Sequence, residues 1–297
     1  MSIVVERLTH VYNPRSPGTL TALRDVSLTI EDGACAAIVG VTGSGKSTLV
    51  QHFNGLLRPT AGRVIVDGID TSTREARGER LRDLRRRVGL LFQFPEAQLF
   101  AATIYEDVAF GPRQTRLAEA EVRACVCAAL DAVGIASDEA TLQRSPFALS
   151  GGQRRRVAIA GVLAIATRPR TLVLDEPSAG LDAEARDELY AQLALLRKRD
   201  GLTVVLVSHD MEEVATQAEV MFVLAEGALW LSGAPDEVFR HADELAACGL
   251  LPPPLAQTVA LARAGGLELW PERLTPEAVA REVYRLRHAR GEGPHAG

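Results

Sequence analysis

A glycine-rich segment near residue 40 has the residue types and the spacing of a loop that binds nucleotide phosphates. Glycines let the backbone bend so that its N–H groups point at phosphate oxygens. Within the segment, Lys46 offers a positive charge to the phosphates and Ser47 offers a hydroxyl group to Mg²⁺. The residues expected to contact ATP are Gly40, Thr42, Gly43, Ser44, Gly45, Lys46, Ser47 and Thr48. The alternative is a chance glycine-rich turn, but the apolar run before the segment and the helical pattern after it favour a site for ATP and Mg²⁺.

Two acidic residues, Asp175 and Glu176, follow a short apolar run that predicts a buried strand over residues 171–174. Open α/β sheets bind their ligands at the carboxyl ends of such strands. Asp175 is suited to support Mg²⁺, directly or through water. Glu176 is suited to polarise a water molecule for attack on the γ-phosphate. The alternative is a solvated acidic turn, which Pro177 would also suit, but the phosphate-binding segment upstream favours a catalytic pair.

A second candidate anion site lies over residues 150–153, where a helix is predicted to begin. Its residues are Ser150, Gly151, Gly152 and Gln153. A serine followed by two glycines leaves the backbone N–H groups of the helix start open to an anion. By itself this signal is weak, because many helix starts look alike. Together with the phosphate segment, however, it suggests that the chain carries two separate parts of a nucleotide site. Two subunits could each supply one part to a shared site, which predicts a dimer that closes around ATP.

Short apolar segments alternate with helical patterns along most of the chain. Strands are predicted at residues 3–8, 23–39 with a turn at 30–33, 62–69, 88–92, 171–174 and 203–207. Helices are predicted at 47–57 and 79–87 and over much of 93–148. The alternation predicts an α/β fold with a mainly parallel sheet.

The bulk properties of the 297 residues are those of a globular protein with one or two domains. A net charge of −5 gives no reason to expect a nucleic-acid partner. The longest apolar run, residues 157–166, is far shorter than the roughly 20 residues of a membrane span. We therefore expect a cytosolic chain, for which any role at a membrane would have to come through partners.

The strand-like pattern stops near Pro235, and a proline-rich break follows at residues 252–254. Beyond it lie two helical patterns, at 255–264 and 276–290, and a glycine-containing tail at 291–297. The sequence therefore predicts a main domain over residues 1–232 and a small helical extension over 233–297.

The order of these segments, together with Gln93 and with His209 just past the predicted strand 203–207, resembles the ATPases of ABC transporters. The resemblance covers about residues 3–232. It implies a P-loop NTPase core of the RecA type, an N-terminal antiparallel β subdomain and a helical subdomain near residues 93–165. It also implies a head-to-tail dimer in which Ser150 and Gly152 of one subunit face the γ-phosphate held by Lys46 of the other.

The resemblance also implies roles for single residues. Gln93 would join Mg²⁺ and the attacking water to the helical subdomain, and His209 would face the γ-phosphate. Asp182, in the segment 178–182, would touch the site of the partner subunit, and Tyr12 would stack on adenine. Three departures from the family pattern, at Val41, Arg154 and Ser178, remove no catalytic group.

Three longer stretches, residues 92–100, 107–112 and 146–163, resemble in particular the ATPases of energy-coupling factor transporters, including those for cobalt and nickel. Tyr12 with its following loop and residues 51–54 resemble the second of the two paired ATPases of this group. The resemblance implies an ATP hydrolase that powers uptake of a vitamin or a transition metal ion from the cytoplasmic face of the membrane. Its implied partners are a second ATPase subunit, a transmembrane coupling protein and a membrane-embedded substrate-binding protein.

Other functions remain as alternatives. An ATPase of another ABC importer family is the nearest of them. A soluble ABC ATPase acting on DNA or ribosomes usually has two cassettes or long insertions, and the chain shows one phosphate segment. A regulator without turnover is disfavoured because Gln93, Glu176 and His209 are all present.

Leu99 and Phe100 follow the segment that begins at Gln93, and we expect both to be exposed and to line a groove for a helix of the membrane partner. The alternative is that they belong to the core of the helical subdomain.

Overall fold

The computed structural model describes residues 2–73, 78–115, 117–165, 170–269 and 275–289. Some predicted features extend outside the described residues. They are the last residue of the apolar run, 166, the last residue of the final helix, 290, and the whole of the tail 291–297.

In the part of the chain that the structure describes, ten strands form two sheets. They are β1 (Ile3–Tyr12), β2 (Leu20–Ile30), β3 (Cys35–Val39), β4 (Ala61–Val66), β5 (Ile69–Asp70), β6 (Val88–Leu91), β7 (Thr171–Asp175), β8 (Thr203–Val207), β9 (Val220–Ala225) and β10 (Ala228–Gly233). The smaller sheet is antiparallel, in the order β2-β1-β4-β5. The larger sheet has the order β10-β9-β3-β8-β7-β6, and only its β10–β9 pair is antiparallel. The predicted α/β class with a mainly parallel sheet is confirmed.

Twelve α-helices occur in the described residues. They are α1 (Lys46–Phe53), α2 (Glu79–Arg87), α3 (Ile104–Arg113), α4 (Glu119–Ala132), α5 (Glu139–Leu142), α6 (Gly151–Ile165), α7 (Ala183–Asp200), α8 (Met211–Gln217), α9 (Pro235–Val238), α10 (Ala242–Ala247), α11 (Pro254–Ala264) and α12 (Pro276–Ala289). None of the helices in the described part of the chain has the length and apolar character needed to cross a membrane.

The predicted helix over residues 47–57 ends earlier, at Phe53, so this boundary was wrong. Gly55 adopts a left-handed backbone, and a Cβ atom there would lie 2.4 Å from Leu81 Cδ1. The amides of Leu56 and Leu57 both bond to the carbonyl of Gln51, which closes the helix end. Leu56, counted on the apolar face in the sequence, is exposed as a result.

Three apolar cores hold these elements together. One lies among helices α3, α4, α6 and α7 and the face of the large sheet that they cover. A second lies between the two sheets and includes Leu49 and Phe53 of α1. A third joins Ala37, Val39 and Val223 of the large sheet to residues of helices α8–α11, such as Val238. The C-terminal helices therefore cover a face of the same sheet that carries the phosphate segment.

Candidate functional site

The candidate site lies at the carboxyl edge of the large sheet, where four parallel strands end. The phosphate loop, residues 40–47, follows β3, and His209 comes soon after the neighbouring strand β8. Asp175 ends the next strand, β7, and Gln93 follows β6 beyond it. Because parallel strands share their carboxyl edge, residues more than 100 positions apart in the chain meet here.

The phosphate loop keeps its shape because glycine is required at two of its positions. A Cβ atom at Gly40 would lie 2.3 Å from the carbonyl oxygen of Leu224, and one at Gly45 would lie 2.6 Å from that of Ala22. Both glycines have positive φ angles, of 153° and 103°. Any larger residue would push the loop away from the neighbouring backbone, so the glycines fix the position of the phosphate-binding N–H groups.

Lys46 lies within this loop and donates hydrogen bonds from Nζ to the carbonyl oxygens of Gly40, at 2.7 Å, and Val41, at 3.0 Å. Burial lowers the pKa of its ammonium group, while the nearby carboxylates of Glu176 and Asp175 act in the opposite direction. The ammonium group is thus held by the loop itself, close to where phosphate oxygens are expected.

Ser47 and Asp175 form the candidate metal position. The Ser47 hydroxyl donates to Asp175 Oδ2 at 2.9 Å, and Asp175 is only 6% exposed. Burial raises the pKa of Asp175, the neighbouring Glu176 raises it further, and the Ser47 hydrogen bond opposes the rise. A hydroxyl and a carboxylate that converge are the oxygen ligands that Mg²⁺ prefers, so the residues present fit this ion.

Glu176 is held by two side chains from different loops. Gln93 donates from Nε2 to Glu176 Oε2 at 2.8 Å, and His209 Nδ1 lies 2.9 Å from Glu176 Oε1. The backbone amide of Glu176 donates to the carbonyl of Val207 at 2.8 Å, which ties the residue to β8. The structure therefore brings Glu176 together with Gln93 and His209, the two residues whose catalytic roles the family resemblance implied.

A cavity of about 300 Å³ lies over the phosphate loop, and its lining includes Tyr12, Lys46, Asp175 and Glu176. The Tyr12 hydroxyl lies 3.2 Å from Thr48 Oγ1, at the first turn of α1. Tyr12 is the last residue of β1, not part of the loop that follows it. It lines the wall of the cavity, where an adenine ring is expected.

A second, larger cavity of about 790 Å³ adjoins the site. Its lining includes Gln93, Glu176 and His209 together with residues 249–254, which connect α10 to α11. The proline-rich break in the sequence therefore lies beside the catalytic residues, which sequence patterns did not indicate.

The segment 150–153 has a local role as the start of α6. The Ser150 hydroxyl accepts from the amide of Gln153, and the Gln153 side chain accepts from the amide of Ser150. Asp182 similarly caps α7, accepting from the amide of Ala185 at 2.8 Å. Neither Ser150 nor Asp182 lines the two cavities that Glu176 lines, so the single chain does not bring them to its own phosphate loop.

The loop that follows Glu176 is fixed by two side chains that sequence reasoning missed. Arg155 of α6, 3% exposed, donates from Nη1 to the carbonyls of Pro177 and Ala179. Glu213 of α8, 5% exposed, accepts a hydrogen bond from Ser178 at 3.0 Å. Arg155 lies in a run of three arginines and Glu213 follows another glutamate, so nothing in the sequence separates these two from solvated neighbours.

Burial raises the pKa of Glu213 to about 7 from its ordinary value of 4.5, and the charge of Glu176 adds to the rise. The Ser178 hydrogen bond and the charge of Arg186 oppose it. Among the described residues, Glu213 Oε1 has no hydrogen-bond partner. The protonated form of Glu213 is therefore favoured more strongly in the folded protein than in an exposed glutamate.

This shift predicts a dependence of stability on pH. Because the folded chain holds the Glu213 proton more tightly than the unfolded chain does, this proton stabilises the folded state. The stabilisation is fully present below pH 4.5 and is lost as the pH rises from 4.5 through 7. Relative to Glu213→Gln, the wild-type free energy of unfolding should fall by about 2–3 kcal/mol between pH 4.5 and 7.5. Urea unfolding at both pH values measures this, with the exposed neighbour substitution Glu212→Gln as control. A difference that is the same at both pH values would contradict the prediction.

The prediction that Leu99 is exposed was wrong. Leu99 is buried in the core of the helical layer, at 6% exposure, whereas Phe100 is 63% exposed. Phe100 packs edge-on against Phe110 of α3, also exposed, with ring centroids 5.1 Å apart. The exposed apolar surface is therefore formed by Phe100 and Phe110, and the spacing of Phe110 within a helical pattern was the signal that could have found it.

Comparison with known proteins places these features in context. The family model described as ABC transporter matches residues 23–179. The energy-coupling factor transporter ATP-binding protein EcfA2 of Symbiobacterium thermophilum is 52% identical over 281 residues, covering 94% of this chain and 95% of that protein. The protein of the same name from Clostridium acetobutylicum is 45% identical over 286 residues, covering 96% and 98% of the two chains.

The solved structures that this chain resembles also include ABC transporter ATPases. The structure of cbiO1 from Clostridium perfringens, part of the ABC transporter complex cbiONQ, matches with a TM-score of 0.71 and 36% identity, covering 87% of this chain and 98% of that one. The dimeric ATP-binding cassette MJ0796 bound to ADP and Pi matches with a TM-score of 0.68 and 29% identity, covering 78% and 98%.

Proposed function

Because this chain belongs to the ABC transporter family and, within it, to the ATP-binding proteins of energy-coupling factor transporters, we propose that it hydrolyses ATP to power uptake of a vitamin or a transition metal ion. The observation that carries the proposal is the position of Glu176, which Gln93 and His209 hold beside the phosphate loop.

In this proposal the phosphate loop binds the β- and γ-phosphates of ATP. Lys46 releases the carbonyls of Gly40 and Val41 and donates to phosphate oxygens instead. Ser47, Asp175 and Gln93 would hold Mg²⁺, which would supply neutralising charge for the transferred phosphoryl group. Tyr12 stacks on the adenine ring at the wall of the cavity.

Glu176 then acts as the general base. Its carboxylate accepts a proton from the water that attacks the γ-phosphate, and the bond between the γ-phosphorus and the bridging oxygen of ADP breaks. His209 leaves Glu176 and donates a hydrogen bond to the γ-phosphate. Both side chains already lie at the same edge of the sheet, so these exchanges need only side-chain rotation.

The active unit is a dimer of ATPase subunits. Residues 150–153 present the N-terminus of α6 and do not line the cavities above their own phosphate loop. In a head-to-tail pair, Ser150, Gly151, Gly152 and Gln153 of one subunit face the γ-phosphate of the other, and Asp182 approaches the same site. The dimeric arrangement of the structural relative bound to ADP and Pi supports this assignment.

We further propose that the chain lies on the cytoplasmic face of the membrane, bound to a transmembrane coupling protein that also carries a substrate-binding protein. Residues 233–297 then form an extension of the ATPase domain 1–232, and helices of this extension cover one face of the large sheet. Affinity purification of this chain from membranes, followed by mass spectrometry, tests the assembly. A small integral membrane protein recovered with a coupling protein supports it, whereas two large permease subunits would point to another importer family.

Phe100 and Phe110 are proposed to contact an apolar helix of the coupling protein. The double change Phe100→Ser and Phe110→Ser is expected to lower ATP-dependent uptake at least about 10-fold, because two exposed aromatic anchors each contribute over 1 kcal/mol at an interface. Hydrolysis by the ATPase dimer in the absence of the coupling protein should be unchanged. Uptake into vesicles and co-purification of the coupling protein measure the effect.

The matched control for this pair is Trp230→Ser. Trp230 is an equally exposed aromatic residue, but it lies on β10, at the edge of the large sheet opposite β6. Normal uptake by the double variant, or equal loss in the Trp230 variant, would show that these phenylalanines do not form the partner surface.

A further inference from the structure

Two side-chain links join the loops that carry Glu176 and His209, in addition to the backbone bond from Glu176 to Val207. The first is the contact between the two side chains themselves, in which His209 Nδ1 lies 2.9 Å from Glu176 Oε1 and the His209 side chain is 67% exposed. The second is a buried carboxylate, that of Glu213. Its Oε2 atom accepts hydrogen bonds from Ser178 at 3.0 Å and from Ser208 at 2.8 Å.

Both serines are close in the chain to a catalytic residue. Ser178 lies two residues after Glu176, in the loop that follows β7. Ser208 directly precedes His209, after β8, and is 3% exposed. The single oxygen Glu213 Oε2 therefore connects the two loops beneath the exposed Glu176–His209 contact.

Glu213 is itself held rigidly. It lies in the first turn of α8, where the Asp210 carboxylate accepts from the backbone amides of Glu212 and Glu213. The Ser208 hydroxyl, which donates to Glu213, also accepts from the amide of Asp210 at 3.0 Å. The start of this helix and the loop before it thus form one hydrogen-bonded unit that leaves the Glu213 carboxylate little freedom to rotate.

The loop on the other side of the link is also fixed. Arg155 Nη1 donates to the carbonyls of Pro177, at 2.7 Å, and Ala179, at 2.6 Å, the residues on either side of Ser178. The Arg155 guanidinium also reaches Glu96, at 3.3 Å. Glu213 holds Ser178, and Arg155 holds the residues on either side of it. The backbone that carries Glu176 is therefore fixed on the side that follows this residue.

Hydrolysis requires the exposed contact to open, because Glu176 must turn to the attacking water and His209 to the γ-phosphate. The buried link does not take part in those exchanges and can persist through them. Oε2 accepts both serine hydrogen bonds whether or not a proton is present on Oε1, so the link is available in either protonation state of Glu213.

We infer that Glu213 is a positioning residue for ATP hydrolysis, which holds the loops of Glu176 and His209 at a fixed separation through Ser178 and Ser208 while these two side chains exchange partners. The inference rests on the proposed function, since it concerns the same site.

The test compares Glu213→Ala with Glu213→Gln in the assembled transporter. The alanine variant lacks the acceptor, and a displacement of about 1 Å in catalytic groups costs on the order of 10²-fold in rate; we therefore expect kcat to fall about 10- to 100-fold. The KM for ATP and the Kd for the non-hydrolysable analogue AMP-PNP should stay within about twofold of wild type, because the phosphate loop is untouched.

The glutamine variant should recover kcat to within about threefold of wild type, because its amide oxygen can accept both serine hydrogen bonds. Ser178→Ala should lower kcat and Ser178→Thr should retain it, since threonine keeps the hydroxyl. Asp187→Ala is the matched control. Asp187 is an acidic residue that lines the same 150 Å³ cavity as Glu213, but its side chain is 80% exposed.

Three results would overturn the inference: a wild-type kcat in Glu213→Ala, a Glu213→Gln variant as slow as the alanine variant, or a loss of kcat matched by an equal loss of AMP-PNP affinity. Failure of the proposed function is distinguishable, because wild-type protein would then hydrolyse ATP no faster than Glu176→Gln in the same assay.

Discussion

Glu176→Gln is expected to bind ATP normally and to hydrolyse it about 10²- to 10⁴-fold more slowly than wild type, the range for loss of a general base. Glutamine has nearly the shape of glutamate but cannot accept the proton of the attacking water. Its side chain can still contact Gln93 and His209, which bond the carboxylate in wild type. ATP-bound dimers should therefore accumulate, and size-exclusion chromatography with ATP, together with phosphate release, measures both effects.

Glu31→Gln is a suitable control for this variant. Glu31 is exposed in the turn between β2 and β3, at the end of β3 opposite the phosphate loop, so the same chemical change there should leave hydrolysis unaltered. Wild-type rates in Glu176→Gln would remove Glu176 from the role of general base, whatever the effect on the dimer.

Lys46→Ala is expected to weaken ATP binding at least about 100-fold, because two charge-assisted hydrogen bonds to phosphate together contribute about 3 kcal/mol or more. The loop itself should remain folded, since the glycine contacts that shape it do not involve the lysine side chain. Isothermal titration with ATP measures the affinity, and thermal unfolding without nucleotide shows whether the fold is retained.

The chain offers an unusually simple control for this change, because it contains two lysines, Lys46 and Lys198. Lys198 is exposed in the last turn of α7, and Lys198→Ala should bind ATP as wild type does. Unchanged affinity in the Lys46 variant would refute the phosphate-binding role of the loop.

Much of this site could be predicted from the sequence because its functional residues lie in short segments with recognisable residue types and spacing. The phosphate loop needs glycines at positions where a Cβ would collide with the backbone of Leu224 or Ala22, and only a glycine-rich segment permits that. Asp175 comes directly after one apolar run and His209 comes one residue after another. Parallel strands share their carboxyl edge, so these positions place both residues there. The fold class and the family were therefore predicted correctly.

The remainder depends on tertiary contacts that leave no local pattern. Leu99 and Phe100 are adjacent apolar residues, and only the packing of the helical layer decides that one is buried and the other exposed. Glu213 and its neighbour Glu212 are the same residue type, yet one carboxylate is buried between two loops. Residues 249–254 approach the site because the C-terminal helices fold back onto the sheet, a long-range event that proline content does not reveal.

Glu176 has a backbone φ of 49°, in the left-handed region that glycine tolerates best. For a residue with a side chain, that conformation costs about 1–2 kcal/mol. The backbone conformation alone would therefore prefer glycine at the position on which turnover depends, and glutamate supplies its carboxylate there in spite of that backbone cost. A laboratory screen for thermostable variants of this protein should therefore also select for hydrolysis, because glycine at residue 176 would relieve the backbone cost and remove the carboxylate.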